Sequence, residues 1–194
     1  MSQKIQKNLN SQTPFVLWFT GFSGAGKSTI ANAIAQRITT LGESVHLLDG
    51  DVVRKGLCAD LTFTDADRDE NIRRVSEVAK LVLDSGSIVV AALISPKQAH
   101  RQQARHTFKE GEFIEVFIDT SFYECEKRDV KGLYKKSRSG VIKNFTGIDS
   151  EYEIPNSSEI HVITGQQTVE QCVNQIFDYL YSQGYIKSTH INDL

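Results

Sequence analysis

The run Gly21-Phe-Ser-Gly-Ala-Gly-Lys-Ser28 constrains this chain more than any other stretch. A glycine followed after four residues by Gly26-Lys27-Ser28 has the spacing of a phosphate-binding loop. Gly21, Gly24 and Gly26 reach backbone conformations closed to residues with a side chain, so successive N–H groups can turn inward around a polyphosphate. Phe22, Ser23 and Ala25 lie between them, and Thr29 follows in the helix the loop opens. The first N–H groups of that helix are unpaired and partly positive; Lys27 adds a full charge for the β- and γ-phosphates, and Ser28 is a candidate Mg2+ ligand. A plain glycine-rich turn would need no particular flanks. Here the apolar Phe15–Thr20 reads as a strand before the loop, and Ile30, Ala31, Ile34, Ala35 and Ile38 recur at helical spacing after it. The feature implies a nucleoside triphosphate with Mg2+ as donor and leaves the acceptor open.

Downstream, strand and helix signals alternate. Short β-branched or aromatic runs at Phe15–Thr20, Val45–Leu48, Ile88–Ala92, Phe113–Ile118 and Ile160–Ile163 are each followed by a helical or loop segment. The pattern predicts a three-layer α/β/α fold of the P-loop NTPase type, with a mainly parallel sheet of about five strands. Right-handed crossovers would bring the loops 21–28, 49–56, 93–97 and 119–121 to one sheet edge, the predicted site. Helix 65–85 has Thr64 or Asp65 as its cap and Gly86 at its end. Ser95-Pro96 with Gln98 reads as a capping box opening another helix, and Thr168 with Gln171 repeats the device before helix 169–183. Residues 1–13 read as a flexible arm and 14–194 as one domain built on the phosphate loop. Within it, Asp129 to Pro155 is a long stretch, basic at Lys131, Lys135, Lys136, Arg138 and Lys143, and is read as a lid over phosphates rather than a plain solvated loop.

A formal charge of −2, from 22 Lys+Arg against 24 Asp+Glu, supplies no global field for nucleic acid, so anions must be held by local clusters. Cys58, Cys125 and Cys172 form no Cys-x-x-Cys pair, and neither a disulfide framework nor a zinc site is implied. The longest apolar run, Ile88–Ile94, is too short to span a bilayer, and no membrane association is expected. The expected setting is a reducing cytoplasm.

Val45-His-Leu-Leu-Asp-Gly-Asp51 is an apolar strand ending in two carboxylates. Acids at the carboxyl end of a strand beside a phosphate loop suit Mg2+ handling and orientation of an attacking hydroxyl. Asp51 is the candidate for both roles. Asp49 is open between a metal role and the cap of a short helix over 51–57, and Asp119 stands in reserve.

Taken in order, Gly21–Ser28, Leu48-Asp-Gly-Asp51 with Arg54, Asp65-Ala-Asp-Arg68 with Asn71-Ile-Arg-Arg74, Ile94-Ser-Pro96, Lys131-Gly-Leu-Tyr-Lys-Lys136 and Asn144-Phe-Thr-Gly-Ile-Asp-Ser150 resemble the adenylylsulfate kinase family. The resemblance spans roughly Phe15 to Tyr181. It implies transfer of the ATP γ-phosphoryl group to the 3′-hydroxyl of adenosine 5′-phosphosulfate, and a homodimer. By the same resemblance Asp51, Arg54, Phe63, Arg68, Asn71, Ile94, Ser95, Lys131, Gly132, Leu133 and Phe145 bind the acceptor. Guanidinium forks match phosphosulfate oxygens, and Phe63 and Phe145 would sandwich the adenine. Lys27, Asp51 and Ser95 are the catalytic candidates. For Ser95, a covalent phosphoserine and a capping or binding role both stand open. Departures are few: Phe22 and Ala25 replace the more usual Leu and Ser, a valine of Asp51-Val-Val-Arg54 stands where asparagine is frequent, and Cys58–Phe63 differs ahead of its phenylalanine. The rival readings are a kinase for another small acceptor, a GTP-hydrolysing switch, for which no Asn-Lys-x-Asp guanine reader is present, and a nucleotide-binding pseudo-enzyme.

Overall fold

The computed structural model describes residues 13–187, so the arm read over 1–13 lies, but for Thr13, outside the described residues. Strands β1 (Val16–Thr20), β2 (Val45–Asp49), β3 (Ile88–Ala92), β4 (Phe113–Asp119) and β5 (Ile160–Ile163) form one sheet in the order β2-β3-β1-β4-β5, with every pair parallel. The expected fold class holds. Register is regular, with Leu17 opposite both Val90 and Ile114.

β1 lies at the centre of the sheet, and its residues alternate between two cores. Phe15, Leu17 and Phe19 pack with Ile30, Ile34 and Ile38 of α1 (Lys27–Thr40) and Ile176 and Phe177 of α7 (Val169–Ser182). Val16 and Trp18 face Ile72, Val75 and Ala79 of α3 (Asp65–Asp84) and Ala104 of α4 (Gln98–His106). A strand buried on both faces must read as an unbroken apolar run, which is why Phe15–Thr20 shows no polar alternation. β5 sits at the sheet's margin and alternates instead, Ile160 and Val162 inside, His161 and Ile163 outside or partly so. Fully burying a side chain such as Phe15, Leu17 or Phe19 contributes about 1.5–3 kcal/mol each, so the β1 core anchors the loop that leaves it.

The chain moves from β1 to the β2 edge, returns through β3, and crosses β1 to reach β4 and β5. That reversal leaves a crevice at the strand carboxyl ends, ringed by three short helices, α2 (Gly50–Val53), α5 (Phe122–Arg128) and α6 (Leu133–Arg138). Helix starts follow local chemistry. The Thr64 hydroxyl accepts from Asp67 N–H at 3.2 Å, making Thr64 rather than Asp65 the cap of α3. Thr168 and Gln171 exchange the two bonds of a capping box before α7.

The box expected at Ser95 does not form. A residue before proline is driven out of the right-handed helical region, and Ser95 sits instead at φ 43 with its hydroxyl turned to Trp18. Lys97 takes the position ahead of α4, its N–H donating to His100 Nδ1 at 3.4 Å, and Gln98 N–H donates to Glu153 Oε2 at 2.6 Å. The short helix expected over 51–57 starts at Gly50 and ends at Val53.

Candidate active site

Gly21 leaves β1 at φ 146, and a Cβ there would lie 2.5 Å from the Ile118 carbonyl oxygen of β4. Only glycine lets the loop pass that close to the sheet. Gly26, at φ 105, then turns the chain into α1. Phe22 packs edge-on against Phe122 at 5.6 Å and against Tyr152 at 4.6 Å, and Ala25 is fully buried, so these two loop residues hold the turn down while Ser23, Gly24 and Gly26 face the crevice. Tyr134 of α6 donates its hydroxyl to the Ser23 carbonyl at 2.8 Å, tying the 129–155 segment to the loop.

Lys27 is 8% exposed, and its ammonium folds back on the loop, donating to the Gly21 and Phe22 carbonyls at 2.9 and 2.7 Å. Burial lowers its pKa to about 8, against the raising influence of Asp49 and Asp51 nearby. A cation held over two neutral carbonyls in a desolvated pocket is poised for anionic oxygens that repay the lost hydration. Ser28 Oγ donates to Asp49 Oδ2 at 2.6 Å, while the other Asp49 oxygen accepts from Asp51 N–H at 2.9 Å. Asp49 therefore caps α2 and also stands against the loop serine. Asp51 is ion-paired with Lys131. Asp119, the reserve acid, contacts His161 at 2.9 Å, and no Asp119 atom lines the crevice.

The crevice has a volume of about 440 Å3. Ser23, Gly24, Gly26, Lys27, Ser28 and Thr29 line one part of it; Asp51, Arg54, Phe63, Arg68, Asn71, Ile94, Ser95, Lys131, Leu133 and Phe145 line the rest. Gly21, Phe22, Ala25 and Gly132 do not line it. Gly21, Phe22 and Ala25 support the loop from behind, and Gly132 turns the chain into α6 at φ 65. Lys27, Arg54, Arg68, Arg128 and Lys131 face only Asp49 and Asp51 as full negative charges among the lining side chains. In a chain of net charge −2, this is a local positive site for polyanions.

Arg68 is 7% exposed, donating from Nε to the Phe63 carbonyl at 3.1 Å and from Nη1 to Thr146 Oγ1 at 2.7 Å, with Nη2 on the Asn144 carbonyl. It thereby fixes both ends of the predicted aromatic pair. Phe63 is half exposed with the Arg54 guanidinium 4.4 Å over its ring. Phe145 is 8% exposed, edge-on to Tyr134 at 4.9 Å, and held by the Asp149 carboxylate, which accepts from the backbone N–H groups of Asn144 and Phe145. Asn71 Nδ2 is buried with no protein partner, in a residue that lines the crevice, and so has a donor to give there.

Several lining residues had no sequence signal. His100, one turn into α4, is 1% exposed, with Nε2 2.7 Å from Asp69 Oδ1, and burial lowers its pKa. Ile142 comes from the irregular part of the 129–155 segment, as do Asn144 and Thr146, which lie in the Asn144–Ser150 block that carries the family resemblance. A second cavity of about 340 Å3 adjoins the loop, lined by Gly26, Thr29, Arg128, Gln167 and Thr168 among others. The loop after β5, at a strand carboxyl end like the others, was the available signal for it.

A family model described as adenylylsulphate kinase matches residues 13–163. The chain belongs to the adenylylsulfate kinase family. Among its relatives, an adenylyl-sulfate kinase of Escherichia coli (strain K12 / DH10B) is 57% identical over 173 residues, 89% of this chain and 86% of that protein. The Mycobacterium tuberculosis APS kinase, solved in complex with AMPPNP and APS, superposes with a TM-score of 0.83 at 43% identity, covering 87% of this chain and 98% of that one. A gluconokinase from Sinorhizobium meliloti, at 20% identity and TM-score 0.61 over 89% of this chain and 94% of its own, shares the fold. Among the described residues no helix is long and apolar enough to cross a membrane, and Cys58, Cys125 and Cys172 are buried free thiols.

Proposed function

We propose that this chain transfers the γ-phosphoryl group of ATP to the 3′-hydroxyl of adenosine 5′-phosphosulfate, giving 3′-phosphoadenosine 5′-phosphosulfate. The observation that carries the reading is the single crevice in which the phosphate loop with Lys27 meets Arg54, Arg68, Asn71 and two aromatic rings. Amides and an ammonium suit a donor triphosphate; guanidinium forks, an unpartnered amide and ring faces suit a sulfated nucleotide. The second cavity, across Gly26 and Thr29 from the first, has the place and size for the donor's base, with Arg128 shared between them.

Phosphoryl transfer through a loose transition state asks mainly for positioning and charge neutralisation. Lys27 leaves the Gly21 and Phe22 carbonyls for the β- and γ-phosphate oxygens. Asp51, held beside the crevice by Lys131, orients the 3′-hydroxyl and takes its proton as the oxygen attacks. Arg54 and Arg68 hold the phosphosulfate, and Lys131 with the rest of the 129–155 segment closes over the reacting groups. Ser28 Oγ and the Asp49 carboxylate, hard oxygens 2.6 Å apart, fit Mg2+, an ion that binds through one or two protein oxygens plus phosphates. In this arrangement Asp49 serves the metal side and Asp51 the acceptor side. When bound, Mg2+ supplies neutralisation of the β/γ charge. A homodimer is the assembly proposed, on the family resemblance.

The experiment is a turnover panel with product identification: ATP and Mg2+ with adenylylsulfate, beside GTP, gluconate and nucleoside monophosphates. Adenylylsulfate should be consumed and ATP preferred to GTP. Rapid phosphorylation of another alcohol with adenylylsulfate untouched would reject the reading.

A further inference from the structure

Ser95 is one of three non-glycine residues at positive φ among the described residues, and the other two, Asp129 and Asn144, are of the types that tolerate it. Backbone held in such a region persists only where its surroundings over-determine it. Around Ser95 three side chains do so from behind the crevice. Trp18 Nε1–H donates to Ser95 Oγ at 2.9 Å. Arg101 Nη1 donates to the Ser95 carbonyl at 2.9 Å, and Thr20 Oγ1 donates to the Ile94 carbonyl at 2.6 Å. Arg101 is in turn fixed by Glu115 of β4, Nε to Oε1 at 2.9 Å, both residues buried. Trp18 and Thr20 are fully buried in β1, the strand that ends in the phosphate loop. None of the three lines the crevice, whereas Ser95 does.

The hydroxyl's chemistry follows from these contacts. A serine hydroxyl has one proton to give and two lone pairs, and an indole N–H is a donor only. Trp18 therefore occupies a lone pair and leaves the proton free. A nucleophilic serine needs a base to take that proton. Among the described residues no carboxylate or imidazole is hydrogen-bonded to Ser95 Oγ. His100, the nearest such group along the chain, has Nδ1 engaged by Lys97 N–H and Nε2 beside Asp69.

We infer that Trp18, Thr20 and Arg101 are positioning residues that hold Ser95 in its left-handed conformation and commit its hydroxyl to donate a hydrogen bond to the acceptor. This rests on the reading of the crevice as the adenylylsulfate site. The sheet's central strand thus sets both halves of the reaction, the donor loop at its end and the acceptor's serine through Trp18 and Thr20.

Trp18 is the single tryptophan, so the full-length 15N-labelled protein has one indole N–H resonance. That resonance should shift in the Ser95→Ala protein and again when adenylylsulfate is added to the wild type. In kinetics, Trp18→Phe should raise KM for adenylylsulfate roughly two- to tenfold, the range for one lost hydrogen bond, with the Kd for AMPPNP unchanged. Trp18→Phe combined with Ser95→Ala should be no worse than Ser95→Ala alone, because both remove the same contact. An indole resonance unmoved by Ser95→Ala, or losses that multiply in the double variant, would overturn the inference. Should Trp18→Phe not fold, the resonance in Ser95→Ala decides. Wild-type protein that ignores adenylylsulfate would instead sink the acceptor reading, and the Ser95→Ala spectrum would still report on the Trp18 contact.

Discussion

Raising the pH strips Lys27 of its proton before a nucleotide arrives, and the penalty can be worked from its surroundings. In the free protein burial has lowered its pKa to about 8, with only the Gly21 and Phe22 carbonyls to accept its hydrogen bonds. Triphosphate oxygens favour the charged form, which should return the pKa to about 10.5 or above. Nucleotide binding then requires the protonated ammonium, so affinity is highest below the free-protein pKa and falls as pH rises through it. Between about pH 7 and about pH 9 the protonated fraction of the free protein drops about tenfold, a loss of about 1.4 kcal/mol in binding. At about pH 9 each bound nucleotide should take up about 0.9 proton. Calorimetry with AMPPNP, in buffers of different ionisation enthalpy, reads both quantities. Lys27→Met should abolish the uptake, flatten the pH profile and lower kcat on the order of 10²-fold. A Kd that stays constant over this range, or the same proton uptake in Lys27→Met, would refute the placement of Lys27 at the phosphates.

Three further outcomes follow from individual contacts. For folding alone the sign at Lys27 reverses: the unfolded chain binds the extra proton between about pH 8 and about pH 10.5, so this residue's contribution to stability rises with pH across that window, and Lys27→Met should remove the trend in urea titrations. Gly21→Ala places a Cβ 2.5 Å from the Ile118 carbonyl at φ 146 and should lower stability by about 1–3 kcal/mol in thermal melts; a melt matching wild type would show the loop can shift. The two acids of the β2 loop should separate. Asp49→Asn raises the Mg2+ concentration needed for half-maximal rate, whereas Asp51→Asn lowers kcat at saturating Mg2+. An interchange of these effects would return the metal-side role to Asp51.

What could be read from the residues alone, and what could not, divides by sequence distance. The glycine turns of the 21–28 loop, the buried run of β1 and the Thr168–Gln171 box are local patterns, each complete within a few residues, and each took its expected form. Ser95 also carried a local pattern, a serine ahead of proline and glutamine, but Trp18, 77 positions away, claims its hydroxyl, and the pre-proline restriction removes the helical backbone. The partner of Ser28 is Asp49, 21 positions on, and two aspartates flanking one glycine offer no sequence means of telling which meets the loop serine. Phe63 and Phe145 looked alike as aromatics in polar loops, yet one is half exposed and the other nearly buried, because Tyr134 and Asp149 enclose only Phe145. The cavity beside Thr164–Thr168 arises from packing of α7 and α5 around the loop, and no motif marks it.

In the function proposed, donor and acceptor share one crevice and the phosphoryl group passes directly between them, the O3′–P bond forming as the bond to the β-phosphate oxygen breaks. The stereochemical course tests this most directly. With ATP chiral at the γ-phosphorus through oxygen isotopes, the 3′-phosphate of the product should show inversion of configuration. Retention would mean two successive displacements through an enzyme-bound phosphate, and would contradict both the direct transfer and the donor role of Ser95.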